Sequence, residues 1–133
     1  LRAVLDPIVI ISAVLSPRGS PARVIRHWLE GGFELVCSPR LLDELTRALG
    51  YPKIAVFVQA DEAERLIDLV RSGSILVDDP TTPPTVRSSD PGDDYLIALA
   101  EHTRSVLVSG DSDLLDLAGQ IPVYSPSDFL AAL

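Results

Sequence analysis

Short apolar runs without polar alternation recur along this chain, and each gives way to a stretch whose apolar residues fall at helical spacing. Few folds accept that alternation. A run such as Ala3-Val4-Leu5 or Val106-Leu107-Val108 offers no polar side chain to a solvent face, so it reads as a strand covered on both sides. Residues 2 to 6 form the first run, followed by an apolar helix to about Leu15 and the breaker Ser16-Pro17-Arg18-Gly19-Ser20-Pro21. A helix opens at Ser20-Pro21, carries Val24, Ile25, Trp28 and Leu29 at helical spacing, and stops at Gly31-Gly32 before a strand at Glu34 to Cys37. Ser38-Pro39 starts another helix with the stripe Leu41, Leu42, Leu45 and Leu49. A further helix spans about Asp61 to Ser72, with Gly73 as its stop, and a short strand follows at Ile75 to Val77. After the proline-rich loop 78 to 89 come a helix at Tyr95 to Glu101, a strand at 106 to 108, a short helix at 112 to 118, a strand at 121 to 124 and a final helix from Ser127. This predicts an α/β fold with a mostly parallel sheet, helices on both faces and the first strand at the centre. With no repeats and one continuous pattern, the 133 residues fit a single domain.

Four carboxylates, Asp6, Glu44, Asp94 and Asp111, each fall just after an apolar run or in the first turns of a predicted helix. In an open α/β sheet such places converge at the strand ends, where ligands bind. No Lys or Arg lies close in sequence to neutralise Asp6, and an unpaired buried charge is costly unless something coordinates it. Each acid also has a purely structural explanation. Asp90 before Pro91 reads as a helix cap, with Asp93 completing a capping-box-like pair. Asp111 suits a cap for the Leu114-Leu115 helix, Asp113 suits the positive end of that helix, and Glu44 suits a solvated helix edge. Asp94 lies beyond the cap and before a buried helix, where a ligand role explains it better. The set and its order carry the argument, not any one member.

Charge narrows the chemistry. The formal charge is −8, and residues 78 to 133 hold ten acids against two basic residues, whereas residues 1 to 77 hold nine of each. Acidity argues against nucleic acid unless several acids hold cations, which reverse the local field. Arg18, Arg23, Arg26 and His27 form a small basic cluster, read either as a solvated helix face or, for Arg18 and Arg23, as an RNA contact. The lone Cys37 sits in an apolar segment and reads as core, and with only His27 and His102 there is no zinc set. A metal here is held by oxygen, which selects Mg²⁺ or Mn²⁺. No Lys or His stands beside the acids as a base, so the matching chemistry is phosphodiester hydrolysis by metal-activated water. No apolar run approaches the ~20 residues of a membrane span and the N-terminus carries no signal pattern, so a cytoplasmic protein with no membrane partner is expected.

These residues resemble the PIN-domain family through essentially the whole chain, most closely its single-domain toxin components of prokaryotic toxin–antitoxin pairs. Arg2-Ala3-Val4-Leu5-Asp6 resembles the family's first strand with its leading Asp, and Ser38-Pro39-Arg40-Leu41-Leu42-Asp43-Glu44-Leu45 resembles the helix carrying its Glu. Asp93-Asp94-Tyr95-Leu96-Ile97-Ala98-Leu99-Ala100 resembles the third motif, with Asp94 at the ligand position. Val106-Leu107-Val108-Ser109-Gly110-Asp111-Ser112-Asp113 resembles the fourth, with Ser109 where Thr is usual, and Ile121 to Leu130 resembles the family's tail. The resemblance implies a PIN-like three-layer α/β/α sandwich over residues 1–133. It implies Mg²⁺ or Mn²⁺ on Asp6, Glu44, Asp94 and Asp111 with Asp113 auxiliary, and Ser109 and Ser12 in support. It implies RNA cleavage, a homodimer and a cognate antitoxin.

One departure matters: Pro7-Ile8 follows Asp6 where the family usually has Thr-Asn. Isoleucine offers none of the hydrogen bonds of an amide, which opens an alternative in which the fold serves as an RNA-binding or protein-interaction module. A haloacid-dehalogenase phosphatase needs a second Asp where Ile8 stands, and a phosphoacceptor receiver needs a late lysine where the sole lysine is Lys53.

Overall fold

The computed structural model describes residues 1–133 and has five strands: β1 (Arg2–Leu5), β2 (Glu34–Cys37), β3 (Ile75–Leu76), β4 (Val106–Val108) and β5 (Val123–Tyr124). They form one sheet in the order β3-β2-β1-β4-β5, and every neighbouring pair is parallel. The first strand is central, as its unbroken apolar run predicts. Ala3, Val4 and Leu5 are fully buried, in register with Val106, Leu107 and Val108 on one side, while Ala3 also pairs Leu35 on the other.

Between β1 and β2 run α1 (Pro7–Leu15) and α2 (Ser20–Leu29), and between β2 and β3 run α3 (Pro39–Leu49), α4 (Pro52–Ala55) and α5 (Ala60–Gly73). A three-residue 3-10 turn, Pro91–Asp93, leads into α6 (Asp94–Thr103), and α7 (Ser112–Leu115) and α8 (Pro126–Ala132) complete the chain. Parallel crossovers are right-handed. Steps from β1 to β2 to β3 therefore place their helices on one face, and the return from β3 to β4 places α6 on the other, where it packs on β1 and β4. The result is a three-layer α/β/α sandwich. Leu96 to Ala100 of α6 are all buried, so this helix has no solvent face over that stretch. Cys37 is also fully buried and burial pushes its thiol up to about 11, which suits a core residue.

Several boundaries move for local reasons. The first strand ends at Leu5, not Asp6, because Asp6 turns its carboxylate onto the Ile8 N–H (3.0 Å) and caps α1, with Pro7 pre-set at the first helical position. The helix expected over 112 to 118 keeps only Ser112–Leu115, and the strand expected at 121 to 124 keeps only Val123–Tyr124. The short α4 has no counterpart in the sequence pattern, since four residues are too few to show a period. No single helix is long and apolar enough to cross a membrane.

Trp28 of α2 fills the space beside the end of α5, where a Cβ on Gly73 would lie 2.8 Å from its indole. Ala is the better helix former by up to ~1 kcal/mol, but overpacking a buried ring costs ~1 to 3 kcal/mol. Gly73→Ala should therefore lower the urea midpoint, read from the fluorescence of Trp28, the only tryptophan. A midpoint at or above the parent's would show that the indole can recede.

Candidate metal centre

The strand order reverses between β1 and β4: the chain leaves β1 toward β2 and leaves β4 toward β5. The C-terminal ends of these two strands therefore open a crevice. Asp6 follows β1 and Asp111 follows β4 shortly after, so both acids reach this crevice from rigid strands. The Asp6 N–H donates to the Val108 carbonyl at 2.9 Å, extending the ladder one residue past the strand. Ser109, fully buried, donates its hydroxyl to Asp6 Oδ2 (2.8 Å) and accepts the Asp111 N–H (3.0 Å). One hydroxyl thus ties the two acidic segments together.

Asp6 is 7% exposed and pairs with no cation. Burial pushes its carboxyl above the usual range, the Ile8 N–H and the Ser109 hydroxyl pull it back, and the charge of Asp111 pushes the same way as burial. Asp111 caps α7 through the Asp113 N–H (3.0 Å). The capping role expected for Asp111 is real, and it leaves the carboxylate facing its acidic neighbours.

The third acid of the pocket is Asp93. Its Oδ2 is buried with no donor in reach, and its carboxyl meets that of Asp111. Burial pushes Asp93 up to about 7, with the Asp111 hydrogen bond and the charges of Asp111, Asp90 and Asp6 adding to it. Asp90, Asp93 and Asp113 each bring one oxygen to within 4.8 Å of the others. Opposite ligands of an octahedral Mg²⁺ are ~4.2 Å apart and those of Ca²⁺ up to ~5 Å, so a hard cation fits with little adjustment. An all-oxygen donor set with one orphaned buried oxygen matches such an ion and no softer metal.

Asp94, the acid expected here, does not join this cluster. Its Oδ1 accepts the Ser88 N–H (2.8 Å), its Oδ2 pairs with Arg87 (3.4 Å), and its side chain is 15% exposed. Successive helical residues diverge by ~100°, so a shift of one residue separates a ligand from a loop anchor. Asp90 does cap the turn, through the Gly92 N–H at 2.9 Å, but the Asp93 carboxylate takes no backbone N–H and so completes no capping box. A signal for Asp93 was present: Leu96, Ile97 and Ala100, all buried, lie three, four and seven residues on. Burial of Ala98 and Leu99 as well hid that phase.

Glu44 sits on the far wall, partly buried and paired with Arg47 (3.2 Å). Its charge reaches Tyr95, whose phenol is held well above its ordinary range by burial, by Asp6 and by Glu44, against the opposing pull of Arg40. Ser12 is partly buried on α1 and its side chain makes no hydrogen bond. Arg18 and Arg23 are exposed and unpaired, with Arg23 facing Ser127 and Leu130 of α8. Ile8, two residues after Asp6, is 56% exposed, and its N–H holds Asp6 Oδ1.

A family model described as PIN domain matches residues 2–113. Uncharacterized protein MJ1680 of Methanocaldococcus jannaschii is 25% identical over 118 residues, which cover 88% of this chain and 75% of that protein. The crystal structure of PAE2754 from Pyrobaculum aerophilum is similar with a TM-score of 0.68 at 17% identity, over 99% of this chain and 88% of that one. VapBC2 from Rickettsia felis, solved bound to a DNA fragment from its promoter, gives 0.64 at 12% identity, over 94% and 98%. At these identities the two structures attest the fold.

An unfolded aspartate titrates near ~3.9, whereas folded Asp93 titrates at about 7. Between those values the folded protein binds the extra proton, so this residue's contribution to stability is lost as pH rises through that window. Metal-free protein should melt lower at about pH 8 than at about pH 5, and Mn²⁺ at the higher pH should restore the loss by replacing the proton. Asp93→Asn should blunt both responses, whereas Asp94→Asn, whose amide oxygen still accepts from Ser88, should keep them. Identical pH and Mn²⁺ responses in wild type and Asp93→Asn would remove Asp93 from the centre.

Proposed function

The chain belongs to the PIN-domain family, and from that premise we propose that it is a Mg²⁺- or Mn²⁺-dependent ribonuclease, the toxin of a toxin–antitoxin pair. The observation that carries this reading is the orphaned, buried Asp93 Oδ2 beside Asp111, in a pocket whose donors are all carboxylate oxygens. A divalent cation bound there would act as a Lewis acid on a phosphodiester and lower the pKa of an attacking water.

Asp90, Asp93 and Asp113, whose oxygens converge, would hold the cation together with the neighbouring Asp6 and Asp111, and Glu44 would add negative charge nearby. Asp94, expected as a ligand, accepts the Ser88 N–H and pairs with Arg87. Ser109 keeps Asp6 Oδ2 oriented and the Ile8 N–H fixes Oδ1, so the Asp6 carboxylate is preorganised on both oxygens. Burial and the neighbouring acids favour a proton on Asp93, and an entering cation would displace it, which couples metal binding to pH. The likeness to VapBC2 supports an antitoxin partner. The family resemblance supports a homodimer and a cytoplasmic setting.

A second reading, an RNA-binding or protein-interaction module with weakened catalysis, is favoured by the exposed apolar side chain of Ile8, two residues after Asp6. Cleavage of RNA by purified protein in Mn²⁺ separates the two. Wild type should cleave, and Asp93→Asn should lose at least ~10 to 100-fold, the range typical of damage even to the groups around a metal. Ile8→Asn should increase cleavage, and because the side chain is exposed it should do so without loss of folding. No Mn²⁺-dependent cleavage by folded wild type or Ile8→Asn would leave the module reading standing.

A further inference from the structure

Arg40 keeps an unpaired charge beside the most acidic part of the molecule. Its guanidinium carbon lies 4.5 Å over the centre of the Tyr95 ring, within cation–π range. Arg2, Arg47, Arg65, Arg71 and Arg87 all pair with carboxylates, whereas the Arg40 side chain makes no ion pair and no hydrogen bond. Glu44 stands one turn further along α3 at pairing distance by sequence, yet it is taken by Arg47.

The position is nonetheless well fixed. The Arg40 N–H donates to Asp79 Oδ2 at 2.9 Å, and Ser38 caps the same turn through the Leu41 N–H. The charges of Asp6, Glu44 and Asp93 all act on the Tyr95 phenol, so the ring that carries Arg40 borders the acidic pocket. The guanidinium lies over the ring with its own N–H groups unpaired, and the residue is exposed. A chain of charge −8 repels a polyanion, so any phosphate brought to this pocket needs a cation at its rim. A guanidinium fork matches two phosphate oxygens, and stacking on Tyr95 removes much of the freedom that such a contact would otherwise cost.

We propose that Arg40, stacked on Tyr95, binds a backbone phosphate of single-stranded RNA at the rim of the acidic pocket and thereby positions the substrate. The proposal rests on the ribonuclease reading above. Arg40 is a positioning residue: it contacts a phosphate beside the one that reacts.

The test is binding of a labelled single-stranded RNA oligonucleotide by anisotropy across a salt series, with Ca²⁺ in place of Mn²⁺, and cleavage in Mn²⁺ followed in parallel. Arg40→Ala should weaken binding and raise KM about 10-fold, the scale of one charge-assisted hydrogen-bonded contact, with a smaller change in kcat. It should also lower the slope of log affinity against log salt by about 0.7, the value for one phosphate contact on a single strand. Arg40→Lys should keep the slope and recover only part of the affinity, since an ammonium has no plane to stack. Wild-type KM and slope in Arg40→Ala overturn the proposal. An arginine that merely offsets repulsion among the acids would lower the melting temperature and move neither quantity. If wild type binds RNA without cleaving it, the ribonuclease reading fails while the binding comparison still decides Arg40; if it neither binds nor cleaves, both fall.

Discussion

The rest of the molecule is arranged around a carboxylate buried where no cation can reach it from the chain. Asp6 is 7% exposed, and its two oxygens are held by the Ile8 N–H and the Ser109 hydroxyl. An unpaired buried charge costs several kcal/mol, so a position like this persists only when the surroundings over-determine it. Here they do so through the sheet. The Asp6 N–H bonds to Val108, and Ser109 bonds to both Asp6 and the Asp111 backbone. The central strand pair and the acidic site therefore share the same hydrogen bonds, and the geometry of one is the geometry of the other.

Pairing with arginine divides the acids around the strand ends. Asp94 is answered by Arg87, Glu44 by Arg47, and Asp61 and Asp68 by Arg65 and Arg71. Asp6, Asp93 and Asp111 have no basic partner, and Asp93 is left with a buried oxygen that no donor satisfies. Four of the ten acids of residues 78 to 133, Asp90, Asp93, Asp111 and Asp113, gather there. Arg40 is the complementary case beside these acids, a cation without an acidic partner.

Holding several carboxylates together works against folding, and the core around them offsets that cost. Ala3, Val4 and Leu5 of β1 and Leu96, Ile97 and Leu99 of α6 are all within 1% of complete burial. Each such side chain contributes on the order of 1.5 to 3 kcal/mol when fully buried, if large. A site built from strand ends and a helix start on that core is rigid before any ligand arrives.

Much of this was legible in the residues themselves. Apolar runs without polar alternation meant strands covered on both faces, so the α/β class, the parallel sheet and the central place of β1 followed from local pattern. Ser38, Asp90 and Asp111 announced themselves as caps because a cap is a contact between near neighbours. The choice between Asp93 and Asp94 was not legible: one residue rotates a helical side chain by ~100°, and a stretch buried from Leu96 to Ala100 carries no phase to choose by. Likewise nothing local joins Ser109 to Asp6 or Arg40 to Tyr95. Period and capping are interactions over a few residues and are written in order along the chain. Which acid turns inward, and which arginine stays unpaired, depends on contacts between distant segments that exist only once the sheet has brought them together.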